Sequence, residues 1–402
     1  MKHLRITVLA AALCVALGAQ AQEAVRPDIG KPLQAAQELI KTGKYKEALA
    51  KVREADAVGS KNANESFLVE RMRIAAASGA GDNDTAAKSF EALAASGKVS
   101  AADKARMAES ISGGYYRAKD YAKAMQWGQR YFKEGGTSGS MRTLLIQSQY
   151  LSGDYAGAAR ELTGEIQAAE KAGTPPAQDR LNLLLNAASQ LKDPSATVFA
   201  LERLVTYYPK KEYWVDLLSR MQRKPGFSDR LVLDTYRLSL ATGSMSSASD
   251  FMEMSQLALQ AGHELEAKAV VDKGFASGVL GAGAEAERHK RLRDLVTKKI
   301  EEAKAARVAA EAEANAAKDG NALVNLGFST ALGGDSARGL QMMQQGIAKG
   351  SLKRPEDAKL HLGIAQVLAG DAKAQATLRS VGGTDGTADL ARLWSLYARR
   401  KG

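Results

Sequence analysis

The chain of 402 residues is poor in the groups that most chemistry needs: it has one cysteine, four histidines and eight prolines, and aromatic residues make up 6% of it. The cysteine, Cys14, falls inside an apolar N-terminal run, so the rest of the chain can form no disulfide and offers no thiol nucleophile. Three histidines lie beyond that run, His263, His289 and His361, without His-x-x-x-His or His-Glu-x-x-His spacing. Zinc needs three or four convergent ligands, so isolated histidines do not make a site. His263 is expected in a turn and His289 on a charged helix face. Gly-x-Ser-x-Gly, Walker and dinucleotide fingerprints are also missing. No catalytic residue, metal ligand or cofactor is assigned, and the chain is read as a non-enzyme.

Long hydrophobic runs are missing too. The stretch from Ile6 to Leu17 is shorter than the roughly 18 to 20 apolar residues that span a bilayer. Lys2 and Arg5 precede it and Ala19-Gln20-Ala21 follows, the pattern of a secretory signal over residues 1–21 with the mature chain starting at Gln22. Ala12-Leu13 lacks the small residue that a lipid-attachment cysteine needs before it. An exported protein, most simply periplasmic, with no transmembrane segment in its mature part is expected. The net charge of +11 falls by two to +9 once Lys2 and Arg5 leave. In an exported chain such an excess meets anionic envelope polymers and lipids, and nucleic acid is not an expected partner.

What the sequence does have is alanine, leucine, charge and a recurring turn. The clearest example lies between Arg142 and Glu165, where one helical stretch ends at Gly153 and another begins after Asp154. Glycine takes the positive φ that closes a helix, and aspartate caps the next one at its positive end. Similar turns are expected at Lys44, Asp84, Asp120, Asp193, Gly226, His263, Asp335 and Asp371. Most of the intervals between successive turns lie between 33 and 40 residues, and one is 72. A single hairpin of two such helices cannot bury its own apolar face, so stacked copies are required.

These turns resemble those of the tetratricopeptide-repeat (TPR) family. The match is carried by Gly43-Lys44-Tyr45 with Ala48 and Ala55, by Lys119-Asp120-Tyr121 with Ala124, and by Gly153-Asp154-Tyr155 with Ala158. The pairs Leu326-Gly327 and Leu362-Gly363, 36 residues apart, repeat a feature of that family's first helix. The resemblance implies an all-α solenoid of antiparallel helix hairpins, with about seven pairs over residues 22–278 and further repeats with a capping helix over 320–402. It also implies a groove lined by the outward positions of each first helix. On this chain those are Tyr116, Arg117, Gln147, Tyr150, Asn182, Asn186, Ser219, Gln222 and Arg223. Asn182 and Asn186 are four apart, hence on one face, and asparagine both donates and accepts, which suits an extended peptide backbone. The lysines of a terminal-carboxylate clamp are replaced here by Glu212 and Asp216.

Between the two repeat blocks, residues 284–319 read as one uninterrupted helix that braces or spaces them. Its apolar stripe is Leu292, Leu295, Val296, Ile300, Ala303 and Ala310, which weakens to alanine after Ile300 and does not sustain heptads. It also carries the densest basic run of the chain, Arg288, Lys290, Arg291, Arg293, Lys298 and Lys299. The expectation is therefore a scaffold for a protein or peptide partner. The alternative is an envelope-polymer binder using the basic run, and the oligomeric state is open.

Overall fold

The computed structural model describes residues 24–399; the expected signal segment, Cys14 and the basic end at Arg400-Lys401 lie outside the described residues. The chain divides into two compact units at Gly164 and Glu165. All regular structure among the described residues is helical.

Unit 1 contains α1 (Pro27–Lys41), α2 (Tyr45–Asp56), α3 (Ala63–Ala80), α4 (Asn83–Ala95), α5 (Ala101–Arg117), α6 (Tyr121–Lys133), α7 (Gly139–Leu151) and the start of α8 (Tyr155–Lys171). From α1 to α7 each helix packs on the next, and α1, α3, α5 and α7 also touch in succession. This is the hairpin array that the turns demand. Its core is a seam of Ile29, Val52, Phe90, Ile111 and Tyr115 with small residues such as Ala48, Ala108 and Ala124 at the close approaches. Aromatic rings fill part of this seam: Phe90 meets Trp127 edge-on at 4.9 Å.

The turns work as the capping argument requires, with one correction. Asp120 accepts from the Lys123 amide at 3.1 Å and Asp154 from the Gly157 amide at 2.9 Å. The turn expected at Asp84 instead lies at Gly81-Asp82, where Gly81 has φ 78° and Asp82 caps α4 through the Thr85 amide. Asp84 is inside α4 and accepts from the Tyr115 hydroxyl and Lys123. Glycine is not obligatory either: Lys119 and Lys192 occupy the left-handed conformation at their turns, with φ 62° and 53°. The first helix starts at Pro27, with Pro32 inside it.

Unit 2 contains the end of α8, α9 (Gln178–Leu191), α10 (Pro194–Tyr207), α11 (Lys211–Gln222), a 3-10 turn at Asp229–Leu231, α12 (Val232–Thr242), α13 (Ala248–Gln260), α14 (Glu264–Ala276), α15 (Ala286–Ala316), α16 (Asn321–Leu332), α17 (Ser336–Lys349), α18 (Pro355–Ala369), α19 (Ala374–Arg379) and α20 (Thr387–Ala398). Successive helices pack in pairs here as well, but the chain returns on itself, because α20 also packs on α10 and α12. Trp394 of α20 is fully buried.

The long helix α15 spans about 46 Å at 1.5 Å per residue. Its first half lies on α13 and α14 through Leu292, Val296 and Ile300, while Leu295, expected on the same stripe, is 44% exposed. Its end is held by Ala314 against Leu323 and Met342, and by the Lys349 ammonium on the carbonyls of Ala314, Asn315 and Ala317. Residues 304–310 between these holds are exposed all round. His289 does not lie on a charged face as expected: it is 2% exposed, and its Nδ1 accepts from the Gly281 amide at 3.0 Å, fixing the glycine-rich loop before the helix.

Candidate functional site

The outward positions of the first helices divide between the two units. In unit 1, Tyr116 on α5 donates its hydroxyl to the Gln147 side chain on α7 at 3.0 Å, so these two groove candidates are bonded to each other across successive repeats. Tyr116 also meets Tyr121 edge-on at 5.5 Å, and Tyr150 meets Tyr155 in the same way at 5.3 Å. The two pairs stand 34 residues apart and plug equivalent bends. Arg117 is exposed beside the first.

In unit 2, Asn182 on α9 accepts from the Tyr213 hydroxyl on α11 at 3.2 Å, and that hydroxyl accepts from Gln178 at 3.0 Å. Asn182 is thus committed to holding α9 against α11, while Asn186, one turn on, is exposed. The spacing of Lys211, Val215, Ser219 and Gln222 puts them on one face of α11. Val215 is 50% exposed on that face. Lys211, Glu212, Val215, Asp216 and Ser219 form one wall of a groove of about 440 Å³, and Ser244 and Ser246 of the loop after α12 form the other. Arg223 folds back, its Nε donating to the Ser219 carbonyl at 3.1 Å. Val215, Ser244 and Ser246 were not legible as groove residues, because the facing loop comes from the next repeat.

The six basic residues of α15 are all exposed, but the helix spreads them out. Successive residues turn by about 100°, so Arg288 and Lys290 leave on opposite sides of buried His289. Arg288 pairs with Glu285, Lys290 with Glu287, Lys299 with Glu302, and Arg293 lies over the Phe275 ring at 4.6 Å.

A second constellation joins residues far apart in sequence. Arg237 on α12 is 5% exposed; its Nε and Nη2 donate to the two oxygens of Glu266 on α14, each at 2.7 Å, and its Nη1 donates to Asp234 at 2.6 Å. The other oxygen of Asp234 is 3.1 Å from His361 Nε2 on α18. Phe328 on α16 is the apolar centre: the His361 ring stacks on it at 4.4 Å, Arg237 lies over it at 4.7 Å and His263 meets it edge-on at 5.5 Å. Burial works against the Asp234 charge, but His361 and Arg237 outweigh it and hold the carboxyl below the usual range. Burial likewise works against the Arg237 charge, and Glu266 and Asp234 overcome it. Nearby, Arg230 binds Asp357 through two bonds of 2.8 Å and Asp385 through one of 2.7 Å. The Thr387 hydroxyl, its amide and Arg230 lower Asp385 to about 2. The only local sequence sign of this network is the i, i+3 pair Asp234 and Arg237, since its other partners are distant in sequence.

No group of three or more His, Cys, Asp or Glu placed to hold a metal occurs among the described residues, and no helix among them is long and apolar enough to cross a membrane.

No family model and no curated protein matches the chain. Solved structures similar to it include the TPR2AB-domain:pHSP90-complex of yeast Sti1, at 12% identity over 73% of this chain and 98% of that one with a TM-score of 0.23. The P58(IPK) TPR domain is similar at 12% identity over 93% of this chain and 98% of that one, with a TM-score of 0.21. Naa15/Naa10 bound to HypK-THB is similar at 17% identity over 87% of this chain, which spans 58% of that one, with a TM-score of 0.26. The all-α hairpin assignment rests on the packed helix pairs described above.

Proposed function

We propose that the protein is a non-enzymatic, exported scaffold, working in the periplasm, that binds a protein partner in extended conformation along the first-helix face of its repeats. The observation that carries this reading is the groove of unit 2 between α11 and the 244–246 loop, where half-exposed Val215 is surrounded by Lys211, Ser219, Ser244 and Ser246. An apolar side chain of the partner would cover Val215, and its backbone would bond to the serines and to Asn186 on the neighbouring first helix. Within unit 2, Asn182 serves this surface indirectly, through its bond to Tyr213 of α11.

Affinity capture from an envelope extract tests the reading. Wild type should retain a protein that Val215→Glu retains at least tenfold less well, a loss of about 1.4 kcal/mol. Recovery of no protein partner, or equal recovery by both chains, would refute it. Retention of an anionic polymer that weakens steeply with salt would favour the basic residues of α15 instead.

A further inference from the structure

His263 forms the N-cap of α14, is 3% exposed, and its Nδ1 has no hydrogen-bond partner. Its surroundings oppose a proton in three ways. The ring is out of water, it stands at the positive end of α14, and it shares the Phe328 ring with the Arg237 guanidinium. The groups facing it come from every side. Asp234 and Arg237 belong to α12, Glu266 to its own helix and bound to Arg237, and His361 to α18. On α13 the Ala258 carbonyl takes the His263 amide, and on α15 the charge of Lys299 is directed to Glu302 and Glu264. Burial, then Arg237 and His361, hold the imidazole down at about 3, with Asp234 acting in the opposite sense.

This ring lies at the seam where the C-terminal helices meet α12 and α14. Beside it the Ser329 hydroxyl of α16 donates to the Gly262 carbonyl at 3.1 Å, and Gly333 at the end of α16 approaches Leu265 so closely that a Cβ there would lie 2.5 Å from that side chain. Separating the seam would return His263 to water.

We propose that His263 is an acid-sensitive latch, whose protonation releases α16 to α20 from α12 and α14 and uncovers the helix faces that the closed unit hides. The closed form excludes the proton and the open form takes it with ordinary histidine affinity. Each pH unit below about 6.5 therefore multiplies the open-to-closed ratio by about ten, until the closed form protonates as well. Asp234 and Asp385 remain ionised through that window, so the carboxylates of the seam do not change with it. His361, in contrast to His263, has a carboxylate partner in the closed form, Asp234 at 3.1 Å.

Hydrogen exchange of the full chain between pH 7.5 and 4.5, corrected for intrinsic exchange, reads the opening directly. Amides of α16 to α20 in the wild type should show an opening constant that rises about 50-fold between pH 6.5 and 4.5. His263→Leu should flatten that profile, and His263→Asn, which keeps a neutral polar side chain at the cap, should flatten it equally should the leucine variant fail to fold. His361→Gln should keep the rise. A flat wild-type profile overturns the proposal, as does a rise that survives in the His263 variants or disappears only in His361→Gln.

Discussion

The two units solve the same problem with different chemistry. In unit 1 every helix is fixed by its neighbours in sequence, through an apolar seam and capped turns, and the side-chain bonds between hairpins span about one repeat, as from Tyr115 to Asp84 and from Tyr116 to Gln147. In unit 2 the same hairpins are joined by contacts that skip several repeats, from Asp234 to His361, from Arg230 to Asp385 and from Lys224 to Asp389. A serial array loses stability locally when one repeat is damaged. A unit whose last helix returns to its earlier ones should lose it as a whole.

Damage at the centre of each unit should expose this difference. Arg237→Ala leaves Asp234 and Glu266 buried without their cation, and should cost about 3 to 5 kcal/mol. Denaturant unfolding followed by hydrogen exchange should find the loss shared by α12, α14, α16 and α18. Ile111→Ala in unit 1, at a position with no exposure, should cost about 2 to 5 kcal/mol, with the loss concentrated in α5 and the helices touching it. Arg230→Gln removes charge-assisted bonds from a partly exposed side chain, and about 2 kcal/mol should disappear from the exchange protection of α18 and α20. Lys192→Gly relieves a left-handed lysine at the cost of a more flexible unfolded chain, and should raise stability by at most about 1 kcal/mol in a melting experiment.

Acid separates the units further. Glu65 is fully buried, and the Arg26 guanidinium beside it holds its carboxyl down at about 2 from 4.5. That carboxylate stabilises unit 1 above its unfolded value, and its contribution fades as pH falls from about 4.5 towards 2. His263 is also depressed, from 6.5 to about 3, but as a base it is held neutral, so its contribution fades from about 6.5 downwards. Between pH 6 and 5, exchange should therefore quicken in unit 2 and remain steady in unit 1.

The hairpins were legible because a capped turn is a local event: Asp120, Asp154, Asp193 and Asp335 each accept from an amide within three residues. The error at Asp84 has the same origin, since Asp82 and Asp84 stand two residues apart after Gly81 and the backbone decides which one caps. The groove candidates fall on α5, α7, α9 and the end of α11, and residue type alone did not reveal that Tyr116 and Asn182 spend their polar atoms on neighbouring helices. The ionic network of unit 2 and the burial of His289 were not legible. They depend on which helices the chain brings back together, and a charged residue in sequence gives no sign that its partner lies 127 positions away.

Native-state hydrogen exchange at neutral pH on the intact chain tests the contrast most directly. Closure of unit 2 predicts one common opening free energy for the protected amides of α12, α14, α16, α18 and α20, whereas α1 to α7 should show graded values. A steady decline of protection from α12 towards α20 would contradict the closure, because it would mean that the last helices fray independently of those they rest on.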